Sequence, residues 1–357
     1  MESDSYAIIG AGPSGSFLAY LLSESGFSVE VYESLPKFSV KPCGMGVPIQ
    51  IESFFRLPES FILSKIKGYR AYLDGEMLVE GGGNIWGYTI DKEGLISYLL
   101  EKVNVVRKRV DDSYPMGLAK EFQGKKVIIS NGFYSKLADR ERINAVEVTI
   151  EKNKADFEED IIEIRFDTGL MGYFWIFPWG DKGINVGVGG LESFDVLKKM
   201  LVNFLRDDPR FKRSVDVEMV QRIRGAQIIS SGINLRKLVL GENIYAVGEL
   251  VGSVFPLTGE GIRPSMLTSK ILFDSMQANK NYVASVESSD LYYAIALQSK
   301  VYRLMKGVPK TVRKMIMKSV PKNWLIKFGL GDFTKEEIKQ LKGFKGLFFE
   351  LLNYSGL

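Results

Sequence analysis

No histidine occurs anywhere in the 357 residues, and there is a single cysteine, Cys43. The first absence removes a Ser-His-Asp triad and every metal site built on imidazole, so no metal centre is expected. The second removes an internal disulfide and fits a reducing interior. No uninterrupted apolar run reaches the roughly 18 residues of a membrane span. An excess of one charge is missing too: 47 Lys and Arg stand against 43 Asp and Glu, and a net charge of +4 gives no reason to expect nucleic-acid binding. No basic segment with an apolar core precedes the first motif, which predicts a cytoplasmic protein. A chain with so few side chains for difficult chemistry is expected to take that chemistry from a bound cofactor.

What is present begins at Tyr6. Tyr6-Ala7-Ile8-Ile9 reads as a short apolar strand, Gly10-Ala11-Gly12-Pro13-Ser14-Gly15 as a tight turn, and Phe17, Leu18, Leu21 and Leu22 recur at helical spacing. Val29 to Tyr32 reads as a second strand that ends at Glu33. In such a unit the first glycine makes the turn, the second lets backbone approach a pyrophosphate, and the third lets helix pack on strand. Amides at the helix start face the phosphates. The acid bonds the hydroxyls of an adenosine ribose, favouring FAD or NAD over NADP. Gly10, Gly12, Pro13, Ser14, Gly15 and Glu33 are therefore predicted at a dinucleotide.

The stretch from Ser34 to Gly46 is rich in proline, glycine and lysine and is predicted to fold back over that ligand, with Ser34, Cys43, Gly44 and Gly46 close to it. Residues 67–80 alternate around Asp74-Gly75 as a hairpin. Lys92 to Val103 is helix-like and Lys125 to Asn131 is a buried strand. Strands are predicted at Ala145 to Ile150, Ile161 to Phe166, Tyr173 to Phe177, Ile184 to Val188 and Val215 to Val220, interrupted by a helix from Asp195 to Leu205. Asn243 to Glu249 reads as the last parallel strand of the first domain, and the chain from about Ile262 as helical. Residues 300–345 hold 13 Lys and Arg against 3 Asp and Glu, interleaved with apolar residues. That segment is either an amphipathic surface for an anionic membrane or a packed helical cap with a solvated face.

The predicted fold is α/β (α+β overall): a Rossmann-like domain, an inserted mixed or antiparallel β-sheet substrate domain and a helical C-terminal region. Residues 1–66, 88–142 and 235–285 are assigned to the discontinuous nucleotide domain, 67–87 and 143–234 to the β-rich domain, and 286–357 to the helical region.

Three further stretches resemble one family. Lys41-Pro42-Cys43-Gly44-Met45-Gly46 is similar to the Pro-Cys-Gly loop of geranylgeranyl reductases, FAD-dependent proteins of the p-hydroxybenzoate hydroxylase superfamily. Tyr173-Phe174-Trp175-Ile176-Phe177-Pro178 is similar to their Tyr-x-Trp-x-Phe-Pro strand. Gly248-Glu249, followed by Pro256-Leu257-Thr258-Gly259-Glu260-Gly261-Ile262, resembles their second FAD motif. The resemblance implies that Glu249 meets the ribityl chain, and that Pro256, Thr258, Gly259, Glu260, Gly261 and Ile262 line the isoalloxazine. It also implies that Cys43, Gly259 and Glu260 stand beside the reacting atoms. Tyr173, Trp175, Phe177 and Pro178 would line an apolar substrate tunnel. For the three aromatics, filling the core of the inserted sheet remains the other reading, and for Cys43 an inert buried thiol does. Three positions depart from the family: Glu249 in place of aspartate, Asn131-Gly132 in place of Asp-Gly, and Lys92 where arginine is common.

The resemblance implies a flavin-dependent oxidoreductase that saturates C=C bonds of geranylgeranyl chains on a lipid or diphosphate by hydride transfer from flavin N5. The electron donor would be ferredoxin, a reduced flavin carrier or NAD(P)H. Peripheral contact with the cytoplasmic face of a membrane is a further expectation. Two rivals stay open: a flavin monooxygenase of the same superfamily, and a non-catalytic flavin- or lipid-binding protein.

Overall fold

The computed structural model describes residues 5–340; the basic tail beyond them, with Lys342 and Lys345, and the end of the region 286–357 lie outside the described residues. Strand β1 (Ser5–Ile9) is almost wholly buried, as a parallel strand covered on both faces must be. Helix α1 (Pro13–Glu24) follows, with proline in its first turn, where no amide donor is needed. The chain then runs through β2 (Ser28–Tyr32) to β3 (Gly46–Pro48) and the long hairpin of β4 (Ile62–Leu73) and β5 (Glu76–Ile90). Asp74 and Gly75 make the hairpin turn with φ of +50° and +85°. Helix α2 (Lys92–Leu99), capped by Asp91 accepting from Gly94 N at 3.2 Å, brings the chain back to β6 (Asn104–Val106), α3 (Pro115–Glu121) and β7 (Lys125–Ile129).

The second excursion contains β8 (Arg142–Ile150), β9 (Ile161–Asp167), β10 (Gly172–Pro178), β11 (Ile184–Gly190), α4 (Phe194–Asp207), α5 (Val217–Gln221) and β12 (Arg224–Ile229). The predicted strand at Val215 to Val220 is a helix instead. Asp216 caps it by accepting from Met219 N at 2.7 Å, and this cap outweighs the β-branched residues around it. After β13 (Val239–Gly241) and β14 (Ile244–Ala246) the described chain is helical: α6 (Ile262–Gln277), α7 (Tyr282–Glu287), α8 (Asp290–Gly307), α9 (Lys310–Ser319), α10 (Lys322–Leu330) and α11 (Lys335–Gln340).

Two sheets result. The first has the order β13-β14-β7-β1-β2-β6, with all pairs parallel except β13 with β14. Strand order reverses between β1 and β7, with β2 and β6 laid on one side of β1 and β7 and β14 on the other, and in such sheets ligands bind beyond the carboxyl ends of the strands at that switch point. The second sheet has the order β12-β8-β11-β10-β9-β4-β5-β3, with β4 and β9 its parallel pair. The positions 67 and 87, expected as limits of the β-rich unit, fall inside β4 and β5, and β3 joins the same sheet.

One face of the second sheet is closed by α4, whose Leu197, Leu201 and Leu205 pack on Val146, Val148, Phe174, Ile176 and Val186. Burying each such leucine contributes about 2 kcal/mol. The opposite face of that sheet looks towards the nucleotide domain, and the site lies between them. Among the described residues no helix is long and apolar enough to cross a membrane.

Candidate functional site

At the end of β1 the chain turns at Gly10 with φ of +104°. Ser130, just past β7, pins this turn by donating from Oγ to Gly10 O at 2.8 Å and Ile9 O at 3.0 Å. A side chain at Gly15 would place Cβ 2.0 Å from Gly10 O, so α1 packs on the turn only because that residue is glycine. Gly12 is different. Its nearest neighbour to a Cβ is Ser130 O at 4.0 Å, so the protein itself leaves that space free. Gly12 caps α1 without any side-chain bond, and its surroundings open into a cavity. Glu33 lies at the same mouth, accepting from Ala11 N at 2.9 Å and Leu35 N at 2.8 Å.

The cavity encloses about 1160 Å³ and is lined by Gly10, Gly12, Pro13, Ser14, Glu33 and Ser34 at this end. Small-molecule pockets usually hold roughly 300–1,000 Å³, so this one stands at the large end of that range. Asn131 also lines it. Its Nδ2 donates to Asp112 Oδ2 at 3.0 Å, whereas its Oδ1 is buried with no partner among the described residues. The free cradle at Gly12 and the orphan acceptor on Asn131 both fit a large polar ligand such as FAD.

The loop after β2 lies across the cavity. Lys41 Nζ meets both oxygens of Glu249, at 2.8 and 2.7 Å, and sits 4.5 Å over the ring of Phe133. Lys92, a buried residue of α2, donates from Nζ to Lys41 O at 3.1 Å. Lys92 therefore fastens this loop, while Gly132, beside Asn131, would put a Cβ 3.2 Å from Glu249 Oε2. The three departures from the family pattern thus meet around one ion pair. Further on, Cys43 Sγ accepts from Met45 N at 3.3 Å and Gly44 O accepts from Trp179 Nε1 at 3.0 Å. Gly44 and Gly46 lie flat against Phe177, where a Cβ would come within 3.0 and 2.9 Å of the ring.

Strand β10 supplies the next wall. Phe174 and Ile176 point into the core under α4, so alternation sends Tyr173, Trp175 and Phe177 to the cavity, which all three line. Tyr173 Oη donates to Thr258 O. Burial, with Cys43 and Glu260 beside it, holds the phenol well above its ordinary range. Pro178 does not join them. It ends β10 outside the cavity wall, with its carbonyl accepting from Thr89 Oγ1 at 2.6 Å.

The second motif follows β14. Gly248 N donates to Thr268 Oγ1 at 3.0 Å and Phe255 N to Glu260 O at 3.0 Å, which ties the turn to the start of α6. Glu249, Pro256, Thr258, Gly259, Glu260, Gly261 and Ile262 all line the cavity. The Glu260 carboxylate is 2.9 Å from Arg263 Nη2, and that guanidinium also donates to Leu330 O at 2.6 Å. Both side chains are nearly enclosed, and burial raises the Glu260 carboxyl above its ordinary value despite Arg263. Arg263 thus ties α6 to the end of α10, with Glu260 as its ion-pair partner.

Two residues that sequence reasoning passed over stand behind Trp175. Its Nε1 donates to Asn185 Oδ1 at 2.7 Å, and Asn185 Nδ2 donates to Glu147. Gly187 lies between Trp175 and Glu147 in the sheet register, and a Cβ there would come 2.1 Å from the indole. Glu147 is 3% exposed, and burial raises its carboxyl although Arg224 Nη2 lies 2.9 Å away. Arg224 is 57% exposed, so water screens its attraction. A charged residue at Glu147, amid the apolar alternation of β8, was the available signal.

Residues 8–41 match the family described as NAD(P)-binding Rossmann-like domain. The chain is 27% identical to a digeranylgeranylglycerophospholipid reductase of Methanococcus vannielii, over 98% of this chain and 99% of that protein. Its fold is similar to a geranylgeranyl bacteriochlorophyll reductase-like protein from Thermoplasma acidophilum, with a TM-score of 0.72, 18% identity, and coverage of 96% of this chain and 99% of that one. It is also similar to Klebsiella pneumoniae HpxO, solved with FAD and uric acid, with a TM-score of 0.65, 14% identity, and coverage of 94% and 96%.

Proposed function

We propose that this chain, a flavin-dependent oxidoreductase of the geranylgeranyl reductase family, saturates carbon–carbon double bonds in isoprenoid chains carried on an anionic head. The observation behind this reading is a single cavity that runs from the Gly10–Gly15 turn, past Tyr173, Trp175 and Phe177, to aliphatic residues of α8 and α9. A polyprenyl chain offers almost nothing to hydrogen-bond, so an apolar wall next to the cofactor site is what its recognition requires.

The backbone around Gly12, the carboxylates of Glu33 and Glu249, and the stretch from Pro256 to Ile262 would hold FAD. When bound, FAD supplies hydride chemistry. The protein's own part is positioning and exclusion of water. Thr258 O fixes the Tyr173 hydroxyl, and burial holds its proton more tightly than in an exposed phenol. The Lys41–Glu249 pair holds the Cys43 loop over the site, and Asn185 sets the plane of Trp175. Lys314 and Lys318 of the basic segment pair with Asp74 and Glu76 at the hairpin tip, which supports a packed cap for that part of α9.

The test is anaerobic. Chemically reduced flavoprotein is mixed with a geranylgeranyl lipid, and flavin absorbance and lipid mass are followed. Reoxidation matched by two added hydrogens per flavin supports the proposal. Flavin that stays reduced until air enters, followed by an oxygenated product, would sink it in favour of a monooxygenase.

A further inference from the structure

The outer part of the cavity is walled by Met171, Val301, Met305, Ile316 and Met317, an aliphatic surface interrupted by the cation Arg313. Arg313 is carried on α9. Its Nε and Nη1 are shielded from water and have no hydrogen-bond partner among the described residues. The acid at the nearby hairpin turn does not serve it: Asp74 accepts from Thr168 N at 2.9 Å and Thr168 Oγ1 at 3.0 Å, and pairs with Lys314 Nζ at 2.8 Å. Donors left unmet in an apolar wall weaken the folded state, because water has been removed and nothing replaces it. A guanidinium also presents its donors as a planar fork, which matches the oxygens of a phosphate better than any neutral group.

We propose that Arg313 anchors the anionic head of the substrate, a phosphate group, at the outer end of the cavity while the apolar tail extends along Tyr173 and Trp175. The tail rests on the isoprenoid-reductase reading; the head rests on the unmet donors. The phosphate belongs to a prenyl diphosphate or to an isoprenoid glycerophospholipid. Arg313 is then a specificity-determining residue, and the ligand-free protein bears a cost that its substrate relieves.

The experiment compares the FAD-loaded wild type with Arg313→Met and Arg313→Lys. Equilibrium binding of geranylgeranyl diphosphate, geranylgeranylglyceryl phosphate and the uncharged alcohol geranylgeraniol is measured by calorimetry, with thermal melting of each ligand-free protein. Arg313→Met is expected to weaken phosphate binding about tenfold or more and leave the alcohol unchanged. Arg313→Lys should recover part of the loss. The ligand-free Met variant should melt at or above the wild-type temperature, since two orphan donors are gone, whereas a merely structural arginine would lower it. Loss confined to the diphosphate, or to the glycerophosphate, supports the proposal and identifies the source. Equal loss for alcohol and phosphates, unchanged phosphate binding in the Met variant, or a lower melting temperature would overturn it. A wild type that binds the phosphates and returns them unsaturated would overturn the reductase reading and leave Arg313 in place.

Discussion

Lys41 and Glu249, 208 positions apart, form a two-oxygen ion pair across the cavity. Glutamate is one methylene longer than the aspartate usual at this place, and the lysine comes from the loop that carries Cys43. The pair joins the two motifs that face each other across the site. Glu249 also accepts from Ile229 N at 3.1 Å, so it holds the end of β12 as well. Replacing Lys41 by Met leaves a largely enclosed carboxylate with one backbone donor, an expected loss of about 1–2 kcal/mol, between the values for exposed and buried pairs. A double-mutant cycle with Glu249→Gln, read by urea unfolding, should return about 1 kcal/mol of coupling. Strict additivity would show that the pair is incidental.

Gly12 and Gly15 separate ligand binding from folding. Gly15→Ala drives a methyl into Gly10 O and Ser130 Oγ, 2.0 and 2.4 Å away, and should destabilise the fold by about 3 kcal/mol. Gly12→Ala meets nothing nearer than 4.0 Å, so without ligand it should lose only the small preference for glycine at the N-cap of α1, far less than Gly15→Ala. Its FAD affinity, from fluorescence titration, should nevertheless fall about tenfold, because the methyl occupies the space reserved for backbone approach to a pyrophosphate. Normal FAD affinity in Gly12→Ala would place the pyrophosphate elsewhere.

Asn185→Ala removes the acceptor for Trp175 Nε1 and leaves that donor unmatched in an enclosed place. The expected cost is about 1–3 kcal/mol. If the indole plane guides the substrate, KM for the isoprenoid should rise more than kcat falls. The reverse order would mean that Trp175 bears on the chemical step.

Glu147 predicts a pH dependence. Its folded-state carboxyl titrates above the ordinary 4.5, with burial as the main cause, so the folded state binds the proton more tightly than the unfolded state. Stability from this group is therefore complete below pH 4.5 and declines as the pH rises through the folded value. Glu147→Gln cannot titrate and should give a flatter stability profile from pH 4.5 towards neutral. Parallel profiles for variant and wild type would contradict the assignment.

The nucleotide domain was legible because its signals are local: a strand, a glycine turn, a helix and an acid follow one another within 30 residues, and the turn chemistry allows few alternatives. The same holds for Tyr173, Trp175 and Phe177, whose common face follows from the two-residue period of β10. What escaped depends on distance in the chain. Nothing near Glu147 announces Asn185, and nothing near Arg313 announces a cavity wall. The helix at Val217–Gln221 escaped because one capping bond from Asp216 reversed the preference of its valines. Glu260, implied at the reacting atoms, is bound to Arg263, a partner visible three residues away but indistinguishable in sequence from a solvated pair.

Ser269 Oγ donates to Ser14 O across 255 positions, and α6 covers α1. The first strand and its glycine turn therefore leave the ribosome long before the helix that encloses them. β14, which completes the parallel sheet beside β7, is also late. Pairings so distant in sequence form slowly, and unpaired apolar strands invite aggregation while they wait. The enclosure of the glycine turn therefore waits for α6, although the nucleotide motif itself is complete more than 200 residues earlier.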